Sequence, residues 1–80
     1  MASPYRLIRP ALNAFARELR VARIHAGMSQ HHLARRAGMT RQGLAKIEKG
    51  GNVTVATLIL LTHALGCQIA NLFPRKSPWN

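Results

Sequence analysis

The side chains best suited to chemistry in this chain of 80 residues fall between Gln30 and Lys49, and the chemistry they suit is hydrogen bonding rather than bond making. Arg41, Lys46 and Lys49 bring positive charge, and Gln30 and Gln42 each bring a paired donor and acceptor. Arg and Lys match the O6 and N7 acceptors of guanine, and Gln matches N6 and N7 of adenine. The adjacent Arg41 and Gln42 form the strongest pair of this kind.

Bond-making chemistry fits the sequence poorly. A nucleophile such as Cys67 or a serine would need a neighbouring base and an orienting carboxylate. Glu18 and Glu48 are the only acidic side chains, and both fall inside helical patterns, so the chain reads as a non-enzyme. Four histidines do not compose a metal site either. His31 and His32 are adjacent and diverge by about 100° on a helix, while His25 and His63 stand apart in sequence. No cofactor is expected. His31 and His32 read as surface coverage, with a phosphate contact as the alternative.

Charge supplies the next constraint. Twelve Lys and Arg against two acids give a formal charge of +10, more than solubility requires of a small domain, and imply a polyanionic partner. An anionic membrane would need a basic helix with bulky apolar residues opposite its charges, and no segment shows that pattern clearly. The apolar run from Val53 to Leu65 is interrupted by Thr54, Thr57, Thr62 and His63 and is too short to span a bilayer. A single cysteine rules out an internal disulfide, and the first residues lack a secretory pattern, so a cytoplasmic location is expected.

The elements that must position these side chains are legible from spacing. One domain is expected, near the lower size limit for a core without staples. Only four aromatic residues are present, so the core must be built from Leu, Ile, Val, Ala and Met, which favours helices. Residues 1–11, with two prolines and two arginines, read as an extended N-terminal arm partly ordered through Tyr5, Leu7 and Ile8. Leu12, Phe15, Ala16, Leu19 and Ala22 then recur at three and four residues and predict a helix ending near Gly27. Ser29 caps a short helix to Ala37, and Gly38 turns the chain. Thr40 caps a third helix over Arg41–Lys49, ended by Gly50 and Gly51, and Thr54 caps a fourth to Leu65, stopped by Gly66. A last turn over Ile69–Phe73 closes the domain of residues 12–73. Residues 74–80 read as a tail carrying the lone Trp79. The fourth helix, together with Ile69, Leu72 and Phe73, offers a self-complementary apolar patch.

Two short helices meeting through Gly38 need a small residue at their crossing, which Ala34 supplies. Leu33, Ala37, Met39, Leu44 and Ile47 fill the apolar offsets around it. Through MSQHHLARRAGMTRQGLAKIEKG followed by NVTVATLILLTHALG, the chain resembles the Cro/Xre-type helix-turn-helix repressors over about residues 12–73.

That resemblance implies an all-α, compact, five-helix fold of lambda-repressor type, with the second helix across the DNA backbone and the third in the major groove. Arg41, Gln42 and Lys46 would then face bases, and Gln30, Thr40, Lys49 and Asn52 would meet phosphates. By the same likeness Glu48 pairs with Arg23 inside the domain as a structural ion pair. The implied function is an autoregulatory repressor of double-stranded DNA, a homodimer on a palindromic operator. A HipB-like subset of antitoxins binds kinase toxins, sometimes through a terminal Trp, which would make Trp79 an anchor for a HipA-like partner. The alternative is a restriction-modification controller or phage-type repressor without a toxin.

Overall fold

Ser29, Thr40 and Thr54 each stand in extended backbone just before a helix. Each side-chain oxygen accepts a hydrogen bond from the N–H three residues on, at His32 (3.0 Å), Gly43 (3.0 Å) and Thr57 (3.1 Å). Such caps satisfy donors that a helix start leaves orphaned. The computed structural model describes residues 4–73, with only the backbone of Tyr5. Along them run α1 (Pro4–His25), α2 (Gln30–Ala37), α3 (Arg41–Glu48) and α4 (Val55–Leu65), followed by a 3₁₀ turn at Ile69–Leu72. No strand occurs among the described residues. The fifth helical element is therefore a single tight turn rather than an α-helix. Its start is held by the Gln68 N–H donating to Asn71 Oδ1 at 2.9 Å.

The N-terminal segment differs from expectation. Residues 4–11 are not extended; α1 begins eight residues before Leu12. Pro4 sits at the first helical position, where its missing N–H costs nothing. Pro10 lies inside the helix and removes the N–H that would have met the Arg6 carbonyl. A distant bond supports this part of the helix, since Arg9 Nη1 donates to the Gly50 carbonyl at 3.0 Å. Leu7 and Ile8 remain exposed and do not join the core.

All four helices and the 3₁₀ turn contribute to one core. Phe15 and Leu19 of α1, Leu33, Ala34 and Ala37 of α2, Leu44 and Ile47 of α3, Leu61 and Ala64 of α4, and Leu72 are buried together. Each fully buried leucine contributes about 1.5–3 kcal/mol of transfer free energy. Ala34 is buried on α2, and Gly38 takes the left-handed conformation (φ +72°) that reverses the chain between α2 and α3. Leu72 is fully buried and so drops out of the expected apolar patch, because the 3₁₀ turn points it inward. Phe73 is half exposed and stacks on Phe15 with ring centroids 5.4 Å apart.

Candidate nucleic-acid interface

The α3 helix has two unlike sides. Leu44, Ile47 and Glu48 are buried, whereas Arg41, Gln42, Lys46 and the following Lys49 are exposed. With a step of about 100° per residue, Gln42, Lys46 and Lys49 fan around the direction opposite the core, and Arg41 stands at the edge toward α2. Ala45, half-buried among them, leaves space between the longer side chains.

Beneath that surface lies the one carboxylate of α3. Glu48 is 2% exposed and forms an ion pair with Arg23 of α1, Arg23 Nε to Glu48 Oε2 at 2.8 Å and Nη2 to Oε1 at 3.2 Å. The third guanidinium nitrogen of Arg23 donates to the Met28 carbonyl at 2.9 Å. One arginine thus ties α1, the α1–α2 turn and α3 together in a bidentate, charge-assisted arrangement.

Gln30 takes a position that the sequence did not suggest. Its amide donates to Glu48 Oε1 at 3.1 Å, and its carbonyl accepts from Arg41 Nη1 at 3.3 Å. The buried carboxylate thus holds the Gln30 amide within the domain, with one N–H on Glu48 and the carbonyl on Arg41. The spacing of eleven between Gln30 and Arg41 carries no local signal; only the folded crossing of α2 and α3 brings them together.

The carboxyl end of α3 is held by cations. Arg20 donates to the Glu48 carbonyl and Arg9 to that of Gly50, where the helix leaves carbonyls without helical partners. Gly50 has φ +96°, and a Cβ there would lie 2.4 Å from Asn13 Oδ1. The backbone angle calls for glycine, and the tip of the Asn13 side chain would have to shift to admit anything larger.

Thr40 keeps its hydroxyl oxygen on the Gly43 N–H at 3.0 Å, which leaves its O–H proton able to donate outward. Gly43 answers to that cap: a Cβ on it would press on Thr40 Oγ1 at 3.1 Å. Asn52 is exposed in the 49–54 segment. Trp79 lies outside the described residues. Burial pushes the Cys67 thiol above its ordinary range, which disfavours the nucleophilic thiolate. Among the described residues no helix is long and apolar enough to cross a membrane, and no three His, Cys, Asp or Glu are grouped to hold a metal ion.

A helix-turn-helix family model matches residues 19–72. Comparison with curated proteins finds no match. Among solved structures, the restriction-modification controller protein C.AhdI from Aeromonas hydrophila aligns with a TM-score of 0.76 and 33% identity, over 78% of this chain and 96% of its own. The clp gene regulator ClgR from C. glutamicum aligns with a TM-score of 0.72 and 27% identity, over 76% of this chain and 80% of its own. Hydroxypropylphosphonic acid epoxidase from S. wedmorenis aligns with a TM-score of 0.76 and 31% identity over 86% of this chain. That match spans 37% of the enzyme's length.

Proposed function

The chain belongs to the Cro/Xre-type helix-turn-helix family of DNA-binding transcriptional regulators, and we propose that it is an autoregulatory repressor that binds a palindromic operator as a homodimer. The observation that carries this reading is the composition of the free side of α3. Gln42, Ala45, Lys46 and Lys49 present donors, one acceptor and no acid, while the opposite side of the helix is committed to the core. Gln42, Lys46 and the edge residue Arg41 read bases; Thr40, Lys49 and Asn52 hold phosphates. Action on chromosomal DNA makes the cytoplasm its location.

The dimer is supported by apolar surface and by arithmetic. Ile59 and Leu60 of α4, Ile69 and Phe73 are each at least 41% exposed, and one eight-residue recognition helix contacts too few bases for high specificity. Covering these residues with a second copy buries them and doubles the contact with DNA.

Control of a restriction-modification locus is the context favoured by the likeness to C.AhdI, which extends over 96% of that protein. The HipB-like antitoxin reading, with a HipA-like kinase as partner, rests on Trp79, and the described residues add nothing to it.

Footprinting and fluorescence anisotropy on the DNA upstream of the chain's own gene test the reading, with light scattering for the assembly state. Two protected half-sites about one helical turn, roughly 34 Å, apart and a dimeric mass are expected. Equal affinity for that DNA and for random duplex at physiological salt would reject it.

A further inference from the structure

The apolar stripe of α1 runs past the end of the core. Ile8, Ala11, Leu12 and Phe15 stand at i, i+3, i+4 and i+7, the spacing of one helix face. Phe15 is buried, Leu12 and Ala11 are half-buried, and Ile8 is exposed, so the stripe leaves the domain as it nears the start of the helix. With a step of about 100° per residue, Leu7 and Ala14 flank the stripe, while Arg6, Arg9 and Asn13 fall on the opposite side. Neither Leu7, 70% exposed, nor Ile8, 41% exposed, belongs to the core of its own chain.

Solvation alone would not place Leu and Ile on this overhang. Single apolar residues on a surface are ordinary, but these two are adjacent and prolong a stripe that becomes a core face within two turns. The overhang is also fixed. Arg9 donates to the Gly50 carbonyl at 3.0 Å, which ties the helix to the domain on the N-terminal side of Pro10 and presents the apolar face in one orientation.

Charge and area narrow the choice of occupant. Residues 50–73 contain no Asp, Glu, Lys or Arg, although the chain as a whole carries a formal charge of +10. Two copies with that charge approach most favourably across a neutral surface, whereas an acidic partner would favour the basic sides. The neutral surface continues onto α1, because Phe73 stacks on Phe15 and Ile8 lies two turns, about 10.5 Å, before Phe15 on the same side of the helix. Ile59, Leu60, Ile69 and Phe73, each about half exposed, fall short of the about 800 Å² that each partner gives to a stable interface. We propose that the apolar side of the first turns of α1 docks on a second copy of this chain, continuing the surface of α4 and Phe73, so that each copy clasps the other with its N-terminal overhang. This rests on the proposed homodimer and names the segment that secures it. Two-fold symmetry makes the clasp reciprocal.

The test uses the full chain, with sedimentation over a dilution series to measure the dimer dissociation constant. Leu7→Gln with Ile8→Gln removes the apolar face while keeping good helix formers, and should raise that constant at least about tenfold. Leu7→Met with Ile8→Val keeps the face apolar and should stay near wild type, and circular dichroism checks that both variants fold. In a mixed sample of isotope-labelled and unlabelled chains, isotope-filtered NMR should show contacts from the Leu7 and Ile8 methyl groups to the other copy. If wild type is a dimer and the Gln variant dissociates at the same concentration, or if those methyl contacts arise only within one chain, the clasp is overturned and the homodimer stands. If wild type is a monomer at every concentration, the homodimer of the proposed function fails, and the clasp with it.

Discussion

Arg41, the first residue of α3, donates from Nη1 to the side-chain carbonyl of Gln30, the first residue of α2, at 3.3 Å. The orientation of that amide is not free. A carboxylate only accepts hydrogen bonds, so the NH2 end of Gln30 must face Glu48, where it donates at 3.1 Å, and the carbonyl end must face Arg41. A charge buried in the core thereby sets the direction of a guanidinium on the exposed side of the domain.

If Gln30 positions Arg41, the two residues act as a unit on DNA. Gln30→Ala and Arg41→Ala should each relax preference at the same operator base pair, and the double variant should lose less than the sum, with a coupling of about 0.5–1.5 kcal/mol. Anisotropy on operators altered one base pair at a time measures this. A uniform loss across all sequences for Gln30→Ala would instead make Gln30 a phosphate contact.

Removing the carboxylate of Glu48 should be among the most damaging changes in the chain. Arg23 would be left largely buried without its counter-charge, at a cost of about 3–5 kcal/mol. For a domain of this size each kcal/mol lowers Tm by roughly 4–8 °C, so Glu48→Ala should unfold well below the wild type in a circular dichroism melt. Arg23→Met with Glu48→Leu, which removes both charges, should recover much of the loss. Equal Tm for the single and double variants would show that the shape of the site matters more than its charge.

Much of the fold was legible because its signals are local. Ser29, Thr40 and Thr54 mark helix starts because each directly precedes a periodic apolar stretch, Gly38 and Gly66 mark ends, and Leu33, Ala34, Ala37, Leu44 and Ile47 fall at the spacing that two crossed helices require. The start of the first helix is hidden in the sequence because Pro4 and Pro10 look like breakers one at a time. One occupies the position where proline is tolerated, and the helix around the other is supported by Arg9 reaching Gly50, 41 residues away. The burial of Leu72 is likewise hidden, since nothing in a four-residue turn says which side faces in. In the candidate interface, residue types disclosed the hydrogen-bonding chemistry of Arg41, Gln42 and Lys46. The bond between Gln30 and Arg41 was illegible, since it depends on how two helices cross rather than on any periodicity.

Gly50 and Gly38 allow backbone strain to be separated from steric overlap. At Gly38 the left-handed φ is the whole difficulty, since an added Cβ meets nothing within 4 Å; Gly38→Ala should cost about 1–2 kcal/mol. At Gly50 the same kind of strain is joined by a Cβ 2.4 Å from Asn13 Oδ1, so Gly50→Ala should cost distinctly more in chemical denaturation. Adding Asn13→Ala should return the excess and leave the backbone part. A Gly50→Ala variant no worse than Gly38→Ala would mean that Asn13 moves aside freely.

Gln42 and Lys49 both lie on the free side of α3 but should fail in different ways. Gln42 has the paired donor and acceptor that can match adenine, so Gln42→Ala should cost about 1–3 kcal/mol on the preferred operator and little on DNA changed at that one base pair. Its salt dependence should hardly move, because no charge is lost. Lys49 offers a point charge on a long stem just past the end of the helix. Lys49→Ala should weaken operator and random duplex by similar factors and reduce the salt slope by about 0.9. The two measurements, base-pair preference and salt slope, separate reading from holding; if Lys49→Ala changed preference and left the slope intact, Lys49 would have to be reassigned to the base-reading set.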